Sequence, residues 1–205
     1  MRLYRKRAKC RGNANIHLRL EQYLIIRGQT RDLPLRGLYS KVCYNANMKE
    51  RIKNIIQTLK ENDHTITMAE SCTGGRIAAA FTSIAGSSAV FHGSCVTYAN
   101  EIKHLWLGVN DTTLQKHGAV SEQCVQEMLI GIRNKASSDY AIAVSGIAGP
   151  DGGSEEKPIG TVYIGLLTPR GTTVERYRLN GDREAVQRAS VEASISLLEK
   201  NLKKS

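Results

Sequence analysis

The chain has 205 residues, 41 % of them apolar and 23 % charged, a balance that suits a single globular core and excludes wholesale disorder. Its net charge of +10 is concentrated in residues 1–47, which hold eleven Lys or Arg against Glu21 and Asp32; the other 158 residues carry 18 basic and 17 acidic side chains, too even a mixture for counterion-driven nucleic-acid binding by the body of the protein. No apolar run is long enough to cross a bilayer, and the five cysteines (Cys10, Cys43, Cys72, Cys95, Cys124) form no Cys-x-x-Cys pair, so a membrane span and a disulfide framework are not expected and a reducing, cytoplasmic compartment is.

Residues 1–47 are punctuated by Gly12, Gly28, Pro34 and Gly37 and show no sustained period. They read as a basic arm, disordered or an upstream extension; an organelle transit peptide and a nucleic-acid- or membrane-binding arm are the alternatives. A secretory signal is not expected, because no continuous apolar segment follows the charges. At Met48 the pattern changes. Ile52, Ile55, Ile56 and Leu59 fall on one face of a helix, with Lys49, Glu50, Lys53, Gln57 and Lys60 on the other. The expected folded domain is therefore 48–205.

Beyond that helix, short apolar strands alternate with amphipathic helices, the pattern of a layered α/β domain. Strands are expected over 64–69, 93–98, 140–145, 161–168 and 173–178, and helices over 76–83, 100–107, 121–135 and 183–202. Trp106 and Leu107 are expected in the core. Only Pro169, Arg170 and Gly171 separate the clearest features of the last two strands, a connection short enough to require an antiparallel hairpin and hence a mixed sheet. Ser121 has the chemistry of an N-cap, and Gly181 with Asp182 opens the final helix.

Three segments carry chemistry. The first runs Glu70-Ser71-Cys72-Thr73-Gly74-Gly75 from a strand into a helix, where open α/β sheets place their sites and where backbone amides can receive an oxyanion or a phosphate. Ser71 sits there like a nucleophile on a strand-to-helix turn; the plain alternative is that Ser71 or Thr73 is an N-cap. The second, Tyr98-Ala99-Asn100-Glu101-Ile102-Lys103, puts a lysine in the first turn of a helix, against the macrodipole. Such a lysine could serve as a base if its pKa fell from about 10.4 toward 7 to 8, roughly 4 kcal/mol of differential destabilisation. The plain alternative is a solvated surface lysine. The third, from Ser145 to Gly153, places four glycines within eight residues after a strand and reads as an anion-binding nest or a flexible loop. It is not a Walker motif. His64, His92, His104 and His117 never adopt metal-ligand spacing, so no metal centre is expected.

Together these segments resemble the CinA C-terminal domain family. The resemblance runs from about Met48 to the C-terminus and rests on Ala69-Glu70-Ser71-Cys72-Thr73-Gly74-Gly75, on Tyr98 with Asn100 and Lys103, on Gly118-Ala119-Val120-Ser121-Glu122, on Ser145-Gly146-Ile147-Ala148-Gly149-Pro150 with Gly152-Gly153, and on Gly181-Asp182-Arg183. It implies a three-layer α/β/α domain with a mixed sheet, commonly a homo-oligomer. The implied activity is hydrolysis of the carboxamide of nicotinamide mononucleotide to the acid and ammonia, without a cofactor. Ser71 is then the implied nucleophile, and Lys103 with Tyr98 nearby its activating partner. Thr73, Gly74, Gly75, Asn100, Ser145, Gly146, Gly149, Gly152 and Gly153 are the implied substrate-binding positions, with Arg183 or Arg188 as phosphate clamp.

Two positions depart from the family's pattern: Ala99 stands where many members have Ser, and Gln187 where many have Arg, with Arg188 one residue later. A shift of one residue rotates a helical side chain by about 100°, which bears on phosphate affinity. The chain resembles the stand-alone form rather than the larger two-domain members. Two other readings are a catalytically silent CinA-like interaction domain and a nucleic-acid role confined to the basic arm.

Overall fold

Five of the apolar segments pair into one mixed sheet in the order β2-β1-β3-β4-β5. The structure, a computed structural model, describes the backbone of residues 35–203 and the side chains of residues 46–203. The strands are β1 (Ile66–Glu70), β2 (Phe91–Val96), β3 (Tyr140–Gly146), β4 (Thr161–Thr168) and β5 (Gly171–Arg178). The helices are α1 (Leu35–Glu61), α2 (Arg76–Thr82), α3 (Asn100–Leu107), α4 (Asp111–His117), α5 (Glu122–Ala136) and α6 (Arg183–Leu202). A single 3-10 turn, Ser87–Ala89, precedes β2. Residues 35–47, given no fold by the sequence reading, are helical; the other expectations for the arm fall on residues 1–34, outside the described residues.

Strand β1 runs parallel to both β2 and β3, whereas β3–β4 and β4–β5 are antiparallel. The connection leaving β1 returns on one side as β2, and the next crosses over to the other side as β3. The carboxyl end of β1 is thus the point at which the chain reverses direction across the sheet, the usual place for a site in such folds.

The core has two faces because β1 and β3 are buried along nearly their whole length. One face packs Ala69, Ala141, Ala143 and Leu167 against Val125, Met128, Leu129 and Ile132 of α5 and Leu107 of α3. Successive strand residues point to opposite faces, so Met68, Ile142, Val144, Ile164 and Leu166, also buried, line the other. There α2 and α6 pack on the sheet. Ile52, Ile55, Ile56 and Leu59 of α1 are buried, as their spacing requires. Arg51 reaches from α1 to the Glu199 carboxylate of α6 at 2.7 and 3.0 Å. The result is three layers, helix, sheet and helix. Among the described residues no helix is long and apolar enough to cross a membrane.

Candidate active site

Strand β1 ends in a carboxylate that is fully buried. Glu70 accepts hydrogen bonds from the backbone amides of Gly75 (3.0 Å), Ile77 (3.1 Å) and Ala78 (2.9 Å), the first donors of α2. Those amides need a partner, and Gly75 at the N-cap has no side chain to give them one. The cap therefore comes from the strand, which frees Ser71 from that task. Gly74 and Gly75 hold left-handed backbone, φ 58° and 91°, and the Gly74 amide turns back onto the Ser71 carbonyl at 3.1 Å. Ser71 is pinned to the neighbouring strand through its amide, 3.0 Å from the Val144 oxygen.

The Ser71 hydroxyl, only 7 % exposed, meets the amine of Lys103, which is 1 % exposed. The Lys103 Nζ donates to Ser71 Oγ at 3.1 Å, to the Thr97 carbonyl at 2.8 Å and to the Tyr98 carbonyl at 3.1 Å. Residues 97–99 leave the end of β2 to present those carbonyls, and the Thr97 amide is tied to the Glu70 oxygen at 2.8 Å. Burial lowers the lysine pKa from its ordinary 10.5, the nearby thiols Cys124 and Cys72 opposing the shift only in part. The same dry surroundings push the Cys72 thiol up to about 12 and that of Cys124 to about 11. A thiolate at either position is thus disfavoured.

Ser71 and Lys103 open into a pocket of about 200 Å³, which Tyr98, Asn100, Ser145, Gly146 and Arg183 also line. Arg183, the first residue of α6 after the Asp182 cap, crosses its mouth: Nη1 donates to the Gly149 carbonyl and Nη2 to the Tyr98 hydroxyl, each at 2.7 Å. Ala119 and Val120, which the sequence reading did not assign to the site, complete the wall. Ser145 holds them there by donating from its hydroxyl to the Ala119 oxygen at 2.7 Å. Ser121 then caps α5, its Oγ accepting from the Cys124 amide at 3.2 Å.

Several expected positions do something else. The Tyr98 side chain is 61 % exposed and engages Arg183, while its contribution to the reacting pair is its backbone carbonyl. The Gly74 amide donates to the Ser71 carbonyl and the Gly75 amide to the Glu70 carboxylate, and neither glycine lines the Ser71 pocket. Thr73 is wholly buried and does not line the pocket. Gly152 and Gly153 border a separate, more open groove of about 790 Å³ with Arg178 and Glu155. Arg188 pairs with Glu184 one helical turn away and does not reach the Ser71 pocket.

Two residues with clear roles were missed. Glu70 is one; its signal was a helix beginning on two glycines with no capping side chain. The other is Gln187, which is buried and donates from Nε2 to the Cys72 carbonyl at 2.8 Å. Ala99, where many members have Ser, sits at the N-cap of α3 without a side-chain cap.

A buried serine hydroxyl beside a desolvated lysine, at the carboxyl end of a central parallel strand, defines a hydrolase-like α/β site. Residues 42–202 match the profile of the CinA C-terminal domain, and the chain belongs to that family. It is 48 % identical over 155 residues to the nicotinamide-nucleotide amidohydrolase PncC of Escherichia coli, covering 75 % of this chain and 94 % of that protein. It is 44 % identical over 160 residues to a CinA-like protein of Thermotoga neapolitana, spanning 78 % of this chain but 39 % of that longer one. Among solved structures, a CinA superfamily protein of Klebsiella pneumoniae superposes with a TM-score of 0.74 at 39 % identity, covering 77 % of this chain and 99 % of that one. The competence/damage inducible protein CihA of Agrobacterium tumefaciens gives 0.73 at 39 % identity, covering 76 % and 95 %.

Proposed function

We propose that this chain is an amidohydrolase that converts nicotinamide mononucleotide to nicotinate mononucleotide and ammonia, with Ser71 as nucleophile and Lys103 as its base. The observation that carries the reading is the buried 3.1 Å contact between Lys103 Nζ and Ser71 Oγ; the activity named for the Escherichia coli relative supplies the substrate. Neutral Lys103 takes the Ser71 proton as Oγ bonds to the carboxamide carbon. The resulting oxyanion is received by the amide of Cys72, a residue that lines the pocket and whose N–H has no oxygen acceptor among the described residues. The C–N bond then breaks as Lys103 returns the proton to the departing ammonia. Water, deprotonated by the same amine, releases the acid from Ser71.

The pocket is smaller than the roughly 300–1,000 Å³ usual for drug-sized ligands. It suits the pyridine carboxamide, with the phosphoribose left at the rim, where Arg183 supplies the cation. We place the enzyme in the cytoplasm as a homo-oligomer and assign the activity to residues 48–205, the arm being dispensable for it. Ammonia release from nicotinamide mononucleotide tests the reading. The wild-type chain should be active, Ser71→Ala should be inactive, and Lys103→Ala should lose roughly 10²–10⁴-fold in kcat. Folded wild-type protein that releases no ammonia would sink it in favour of a silent domain.

A further inference from the structure

We propose that Ser145 selects the carboxamide over the acid, its side-chain oxygen accepting a hydrogen from the substrate's NH2 group and repelling the carboxylate of the product. The proposal rests on the amidohydrolase reading and deepens it. Strands β1 and β3 run parallel with Glu70 opposite Val144, and the Ser71 amide continues that ladder onto the Val144 oxygen. Ser145 is thus the cross-strand neighbour of Ser71, on strands about 4.8 Å apart. Ala69 and Ala143 point into the face covered by α5; two residues further on, Ser71 and Ser145 point the same way. Both line the pocket, and among the described residues theirs are its only buried side-chain oxygens.

What Ser145 offers a ligand is decided by its proton. A hydroxyl has one hydrogen and two lone pairs. The Ser145 hydrogen goes to the Ala119 oxygen at 2.7 Å, and Oγ has no second partner among the described residues. Only lone pairs remain, so toward the pocket this oxygen is an acceptor. Turning the hydroxyl away would strip the Ala119 carbonyl of its partner, which holds the polarity in place. The neighbouring walls, Ala119, Val120, Gly146 and Ala148, bring no side-chain donor to compete. A carboxamide carries two N–H donors and satisfies the acceptor. The carboxylate left after hydrolysis carries none, and sets its own lone pairs against those of Ser145. One atom therefore both reads the substrate and helps the product leave.

The test uses the full chain, wild type and Ser145→Ala, with thermal melting to confirm folding. KM is measured for nicotinamide mononucleotide, and Ki for nicotinate mononucleotide as product inhibitor. A neutral hydrogen bond is worth roughly 3- to 10-fold in affinity, and the lost repulsion acts on the acid in the opposite sense. The expected result in Ser145→Ala is a higher KM for the amide and a lower Ki for the acid, so that the ratio of Ki to KM falls about tenfold. A pocket merely deformed by loss of the Ala119 contact would weaken both ligands alike and leave the ratio where it was. An unchanged or increased ratio overturns the proposal while leaving the amidohydrolase reading intact, since ammonia is still released. A wild-type chain that releases no ammonia overturns both. Should Ser145→Ala fail to fold or to turn over, Ser145→Cys, whose thiol is a weak acceptor, is judged by the same criteria.

Discussion

Arg183 and Arg188 are five residues apart on one helix, about 140° around its axis, so they cannot both face the Ser71 pocket. The structure puts Arg183 at the pocket and Arg188 beside Glu184. A charged hydrogen bond is worth roughly 1.5–3 kcal/mol, so Arg183→Ala should raise KM for nicotinamide mononucleotide by about 10-fold or more, whereas Arg188→Ala should stay within about twofold. Steady-state ammonia assays decide it, and equal effects at the two positions would remove Arg183 from the phosphate role. At this scale the serine and lysine were legible because each follows a strand and opens a helix. Glu70 left only the indirect signal of an uncapped helix start and Gln187 left none, because each serves backbone atoms in another element or turn. Nothing in a string of letters marks a glutamine whose partner lies 115 residues away.

Helix α3 carries Lys103 and rests on α5 at a glycine. A Cβ on Gly131 would lie 1.9 Å from the Leu107 carbonyl oxygen and 2.9 Å from its Cα, backbone that cannot move without carrying α3 with it. Gly131→Ala should therefore destabilise the fold by about 1–3 kcal/mol and lower kcat by displacing the lysine. Urea denaturation and turnover measured on the same preparation test this, and a variant of wild-type stability would mean that the helices separate freely. Elements were legible in proportion to their burial. The α6 bounds, 183–202, follow from the cap at Asp182 and the apolar positions beyond it. By contrast α4 buries none of its residues and so left no stripe to read. Strand β2 lies at the sheet edge with mixed burial, which is why its expected span ran two residues too far, to Tyr98. Trp106 was expected in the core but is 46 % exposed, while Leu107 is buried; adjacent helical residues point about 100° apart, and only one of this pair faces α5.

For the protein as a whole, the desolvated lysine is a cost that varies with pH. Its native pKa lies below the 10.5 of an ordinary lysine. Between those two values the unfolded chain binds a proton that the native chain does not, so stability rises with pH across that window, and the full penalty is present below it. Lys103→Met should flatten this rise. Unfolding free energies of the two proteins measured from neutral pH to about pH 10 test it, and parallel curves would show that the lysine is not desolvated. The layered α/β architecture was legible because alternating strands and helices leave few other arrangements. Where the chain reverses across the sheet was not, since strand order depends on contacts between segments far apart in sequence.

That reversal divides the proposed reacting groups between two successive connections, the hydroxyl on the one leaving β1 and the amine on the one leaving β2. A backbone break anywhere in residues 84–86 would put them on different fragments, neither with a complete site. Ammonia production by a mixture of the two pieces would then report their reassembly, making this enzyme a sensor for whatever pair of proteins is fused to its halves.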